Sequence, residues 1–271
     1  MAYWDKIGSR GNVTDRRGMG MAGLGGLGIT GIVIALALNY LGGGDLTDVL
    51  TQLGNTPVQT QQLNTQEFEG ADNYEVFVST VLGSSNDMWT KIFAQNNLVY
   101  NPPGLVLFRE LTASGCGNAS SQAGPHYCPN DKTIYIDETF FDELQARFKA
   151  KGGDVAEAYV IAHEVGHHVQ NELGLLEQST GSNDDSIKTE LQADCFAGLW
   201  ANSIKASGVF EEGEIVEAID AAAAVGDDRI QTTIEGRITP ENWTHGSSTQ
   251  RVEWFNRGYD VGRFSECDTF Q

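Results

Sequence analysis

Two histidines four positions apart, with a glutamate directly after the first, form the segment His163-Glu164-Val165-Gly166-His167. On a regular helix, residues four apart differ by about 40° around the axis, so both imidazoles reach one metal ion from one face. Glu164 then lies about 100° from His163 and about 60° from His167, near the metal yet outside its ligand set. That is where a base belongs. Zinc lowers the pKa of a bound water toward about 7, and an adjacent carboxylate takes the proton as the oxygen attacks a carbonyl. His168 is turned about 140° from His163 and cannot share the ion; it is expected behind a ligand or facing solvent.

Catalytic zinc wants three protein ligands and an open position. Glu190-Leu-Gln-Ala-Asp194 offers two carboxylates one turn apart on a second helical stretch. Its neighbours Leu191, Ala193, Cys195, Phe196 and Leu199 make this helix buried nearly all round, and a buried carboxylate needs a partner. Glu190 is the expected third ligand and Asp194 the acceptor for an imidazole N–H; the alternative is Asp194 as the ligand. His245, just ahead of a helix start, is either a donor to a developing oxyanion or a residue that caps and packs. Asp227-Asp-Arg229 reads as an ion-pair turn rather than a second metal site, because the arginine competes for the carboxylates.

The elements that must position these groups are mostly helices. Apolar spacing predicts helices over Thr139 to Lys149, Asp154 to Leu173, Ile187 to Ser207, Glu211 to Val225 and Ser247 to Tyr259. Two further short helices are expected after Glu69, the second capped by Ser84 and Asp87. Leu105 to Phe108 and Thr133 to Asp137 read as buried strands. Few strands and many helices give an α+β domain.

Ahead of the domain, Lys6, Arg10, Arg16 and Arg17 precede an apolar run, and residues 22–41 just meet the length of a membrane-spanning helix. The basic flank places residues 1–21 in the cytoplasm as a tail and the domain on the periplasmic or extracellular side of the cell membrane. A cleaved signal peptide is the alternative, with Ala35-Leu-Ala37 as the cleavage motif. Residues 42–68, rich in Thr, Gln and Asn, read as a flexible tether to a domain over residues 69–271.

All four cysteines follow the apolar run, in keeping with an oxidising compartment. Cys116 and Cys128 bracket one loop, which leaves Cys195 and Cys267 to pair; this is one of three connectivities, and Cys195 as a buried thiol is the alternative to the second bridge. The formal net charge of -20 repels polyanions, so nucleic acid is set aside as a partner. A peptide or protein substrate and a membrane remain.

The chain resembles the bacterial neutral zinc metallopeptidases that carry an N-terminal membrane segment. The matching pieces are Val13-Thr-Asp-Arg-Arg17, Gly115-Cys-Gly117, Tyr159 to Gln170, Glu190 to Gly198, Gly226-Asp-Asp-Arg229, and His245-Gly-Ser-Ser with Gln250-Arg251 and Trp254-Phe255. It is also similar to the wider gluzincin pattern of H-E-x-x-H followed by E-x-x-x-D. The resemblance implies a zincin-like, mainly helical domain with a small sheet, one zinc per chain on His163, His167 and Glu190, and peptide-bond hydrolysis with Glu164 as base. The rival is a membrane-tethered interaction protein whose zinc only holds two helices together; Glu164 argues against it, since a structural site needs no base.

Overall fold

The computed structural model describes residues 1–18, 72–178, 180–234 and 236–270. The apolar run 22–41 and the tether 42–68 lie outside them. Among the described residues no helix is long and apolar enough to cross a membrane.

A four-stranded sheet has the order β1 (Val13–Asp15), β2 (Gly104–Phe108), β6 (Thr133–Asp137), β5 (His126–Cys128), while β3 (Leu111–Ser114) and β4 (Gly117–Ser120) form a separate antiparallel pair. β1 and β6 run parallel to β2, with Leu105 opposite Ile134, and β5 closes the sheet antiparallel to β6. The central strands are apolar without alternation because both faces are covered: Leu105, Val106, Leu107, Ile134 and Ile136 are all buried. The short strands β1, β3, β4 and β5 carry no such run, and the sequence pattern does not reveal them.

Seven α-helices follow or interleave among the described residues: α1 (Asn73–Gln95), α2 (Thr139–Phe148), α3 (Asp154–Glu172), α4 (Asn183–Lys205), α5 (Ile215–Ala224), α6 (Asp227–Ile234) and α7 (Ser248–Val261). The two short helices expected after Glu69 are one. Ser84 does not cap a second helix; its hydroxyl donates to Val81 O within the turn and accepts the indole N–H of Trp200, and Asp87 accepts from Ser9. Tertiary partners thus take both groups away from capping. Nor is Asp227-Asp-Arg229 an internal ion-pair turn. It opens α6, with Arg229 donating to Lys149 O and facing Asp220 across 3.8 Å.

α3 packs against α1, α4 and α5. It comes so close to α4 that a Cβ on Gly166 would meet Ala193 Cα at 3.0 Å, so the glycine of the HEVGH segment sets the spacing of the two helices. Trp89, Phe196, Trp200, Tyr159 and Phe255 fill the space around them, Trp89 meeting Phe196 edge-on at 4.9 Å. Burying aromatic rings of this size is the main stabilising contribution of such a core.

The expected boundary at residue 69 needs correction. Residues 1–17, read as a tail apart from the domain, are built into it: β1 pairs with β2, Ile7 is buried in the core, and Trp4 packs on Phe77 and Trp200. Of the basic residues that suggested a free tail, Lys6, Arg16 and Arg17 have partners in the domain, while Arg10 donates to Ile7 O and Ser9 O within its own segment. Lys6 donates to Gly208 O, and Arg17 faces Asp15, Asp72 and Glu138.

Candidate metal centre

The helix that carries His163, Glu164 and His167 is buried for most of its length, so these polar groups are held inside the protein and not on its surface. α4 crosses at Gly166 and presents Glu190 to both imidazoles. His163 Nε2 is 3.2 Å from Glu190 Oε2 and His167 Nε2 is 3.4 Å from Glu190 Oε1. One donor atom from each of the three residues lies within 4.8 Å of the others, and among the described residues no second group of this kind is found. Glu164 is buried beside them, 6% exposed, and its charge is felt at His167.

Each imidazole is held from behind. His163 Nδ1–H donates to Asp194 Oδ1 at 3.0 Å, and His167 Nδ1–H donates to Gln170 Oε1 at 2.9 Å. Fixing the proton on Nδ1 turns both Nε2 atoms toward Glu190, as second partners of metal-binding histidines do. Asp194 is the imidazole acceptor and Glu190 faces the histidines; the geometry gives the two carboxylates those different places. Asp194, fully buried, also accepts from the Tyr159 hydroxyl and from Arg251 through Nε at 2.8 Å and Nη2 at 2.9 Å.

Burial works against charge at every one of these groups, and the neighbours outweigh it. Burial pulls His163 down, yet hydrogen bonds to Asp194 and Glu190 raise it to about 10. His167 is likewise raised, against burial, by the charge of Glu190. Burial pushes Glu190 up, and the charge of His167 with the hydrogen bonds of both histidines holds it well below its usual range. A cluster that keeps two carboxylates ionised against two imidazoles at this spacing is prepared for a divalent cation. A divalent cation would take the place of the Nε2 protons that face Glu190, and two imidazole nitrogens with one carboxylate oxygen are a ligand set that fits zinc.

Three residues with a place here were not assigned one from the sequence: Tyr159, Gln170 and Arg251. Gln170 lies three residues after His167 and so on its face of α3, a signal the helix period offers. Gln170 in turn donates to Thr189 O and Gln192, and Gln192 donates to Cys267 O. Arg251 sits 57 positions from Asp194 on α7, and no local pattern links them.

His168 does not face solvent and does not touch His163, His167 or Glu190. It is fully buried, its Nε2–H donating to Asn101 O at 2.7 Å while its Nδ1 accepts from the Tyr127 hydroxyl at 3.0 Å; burial lowers its pKa. It pins β5 to α3. His245 is half exposed, its ring held through Nδ1 by Asp227 at 3.1 Å; Asp227 also accepts the backbone N–H groups of Thr244, His245 and Gly246. The loop is seated on α4, since a Cβ on Gly246 would lie 3.3 Å from Ile187 and 3.4 Å from Leu191, residues flanking Glu190.

Both disulfides join the expected cysteines, Cys116 to Cys128 and Cys195 to Cys267, with Cα separations of 5.8 and 5.5 Å. The second ties the C-terminal tail to α4 directly beside Asp194.

Comparison with known proteins gives a family match over residues 1–270, to the family described as "Putative neutral zinc metallopeptidase". The chain is 43% identical over 258 residues to "Uncharacterized protein YpfJ" of Escherichia coli (strain K12), covering 92% of this chain and 88% of that protein. It is 49% identical over 185 residues to "Uncharacterized protein Rv2575" of Mycobacterium tuberculosis (strain H37Rv), covering 63% of each. No solved structure matches. With a match that runs from end to end and a His-His-Glu cluster inside it, the chain belongs to the neutral zinc metallopeptidase family.

Proposed function

We propose that the protein is a zinc-dependent peptidase that holds one zinc on His163, His167 and Glu190 and hydrolyses peptide bonds with Glu164 as general base. The observation that carries this reading is the convergence of the three donors beside a buried glutamate that is not one of them. Zinc, when bound, supplies Lewis acidity, polarising a carbonyl and acidifying water. Glu164 takes the proton of the attacking water and hands it to the leaving amine. Asp194 and Gln170 keep the two imidazoles in one tautomer and orientation throughout. His245, held by Asp227 of α6 in a loop seated against α4, donates from Nε2 to the oxygen that gains charge.

The same grounds support a zincin-like fold for the domain, whose described architecture is helical with a small mixed sheet. The two disulfides favour an oxidising compartment, periplasmic or extracellular, with residues 22–41 as the attachment to the membrane. The deciding experiment uses Glu164→Gln in the full chain with an unstructured protein such as casein as substrate. The expected result is full zinc content with hydrolysis lost by at least about a hundredfold. Undiminished hydrolysis removes Glu164 as base. If the wild-type protein hydrolyses no peptide while retaining its zinc, the site is structural.

A further inference from the structure

Residues 1–17 run along several faces of the domain and make contacts a detachable tail would not. The Met1 ammonium is 2.7 Å from Glu214. Ala2 N–H and the Trp4 indole N–H both donate to Asp154 Oδ2, at 2.9 and 2.8 Å, and Asp154 is the first residue of α3, the helix of His163 and His167. Tyr3 N–H donates to Val209 O, and Gly11 exchanges hydrogen bonds with Ser79 on α1. α1 is shaped for this passage: a Cβ on Gly83 would lie 2.5 Å from the backbone of Arg10, so a glycine stands in the interior of a helix where it otherwise weakens it. The segment ends as a sheet strand, with Arg16 N–H donating to Leu107 O just beyond β1.

The end of this segment is tied to the start of α1. Arg17, with a side chain only 9% exposed, is 2.7 Å from Asp72, and Asp72 also caps α1 by accepting from Tyr74 and Glu75 N–H. The last residues of the N-terminal segment and the start of α1 therefore meet at a single ion pair.

We propose that residues 1–17 lie on the same side of the membrane as the metal centre. This replaces the arrangement in which a cytoplasmic tail and an exported domain are separated by one crossing. A single crossing would strip β1 from the sheet and the hydrogen bonds of Ala2 and Trp4 from the start of α3. The proposal is independent of the peptidase reading, because none of its readouts is catalytic.

The test uses the full chain with an epitope tag at each end, expressed in bacteria and probed by added protease before and after the membrane is opened. Both tags are expected to become accessible together; tags protected on opposite sides overturn the proposal. A second measurement does not depend on tags. In the purified full-length protein trypsin should leave Arg10, Arg16 and Arg17 uncut at least tenfold longer than in Gly83→Val, which blocks the passage of residues 10 and 11. Equal cleavage rates at these arginines in the two proteins also overturn it.

Discussion

Asp194 Oδ1 lies 3.0 Å from His163 Nδ1 while its Oδ2 receives Arg251 Nε at 2.8 Å, so one buried carboxylate joins the helix of the histidines to α7. Asp194 is held below its usual range because Arg251 and His163 outweigh its burial. An ionised acceptor at this point keeps the Nδ1–H in place and makes Nε2 a better donor. Asp194→Asn should therefore weaken zinc by about 10- to 100-fold, read by competition with a fluorescent chelator. Unchanged affinity would show that the carboxylate positions nothing.

Arg251 faces Asp194 through Nε at 2.8 Å, and both are buried. Removing one member of a buried pair leaves the other uncompensated. Arg251→Ala should cost about 3–5 kcal/mol in urea unfolding, and Arg251→Ala combined with Asp194→Asn should cost less than the sum of the two single changes. Strict additivity would mean that the pair is not coupled.

The ligand assignment predicts that the protein loses its zinc to a strong chelator and regains it on dialysis. His163→Ala, His167→Ala and Glu190→Ala should each hold less than about a tenth of the wild-type zinc, since each removes one of three bonds. Elemental analysis decides, and full occupancy in any one variant removes that residue from the set.

How much of this was legible in the sequence follows from the range of each interaction. His163, Glu164, His167 and Glu190 declare themselves through helical spacing and a buried carboxylate, and α3 and α4 are recognisable because their apolar pattern is long. β2 and β6 were legible as uninterrupted apolar runs. β1 was not: Val13-Thr-Asp15 has one apolar residue, and its pairing with β2 is set by contacts some ninety residues away in the chain. The basic residues of the N-terminus show the same limit. Lys and Arg ahead of an apolar run read as a membrane flank, whereas Arg17 finds Glu138 and Asp72, partners no local window contains. Arg251 went unassigned for that reason too.

Glu157 on α3 gives a pH prediction. Burial, with the charges of Asp154, Asp142 and Glu138, pushes its carboxyl up to about 7. A carboxyl whose pKa is higher in the folded state binds its proton more tightly there. Its contribution is fully present below about pH 4.5 and is lost as pH rises through about 7. Glu157→Gln should remove roughly 2 kcal/mol of the stability difference between pH 5 and pH 8, with the gain over wild type appearing at pH 8. Parallel stability curves for the two proteins over that window would refute the assignment.

The Cys195–Cys267 bridge links the C-terminal tail to the His-His-Glu cluster. Cys195 follows Asp194 on α4, and the carbonyl of Cys267 accepts from Gln192, which accepts from Gln170, which holds His167. Thr269 adds a bond from the tail to Lys188 O, near the start of the same helix. The tail thus holds α4 along the turns that carry Glu190 and Asp194, and also supports the orientation of the second histidine. Cys267→Ser should lower stability by about 2–5 kcal/mol and weaken zinc by about tenfold, because the helix that presents Glu190 loses its tie. Cys116→Ser is the matched comparison: its bridge closes the loop to Cys128, away from the ligands, so it should lower stability by about 3 kcal/mol and leave zinc affinity as it was. Equal zinc affinity in the two variants would show that the tail stabilises the domain without reaching the metal.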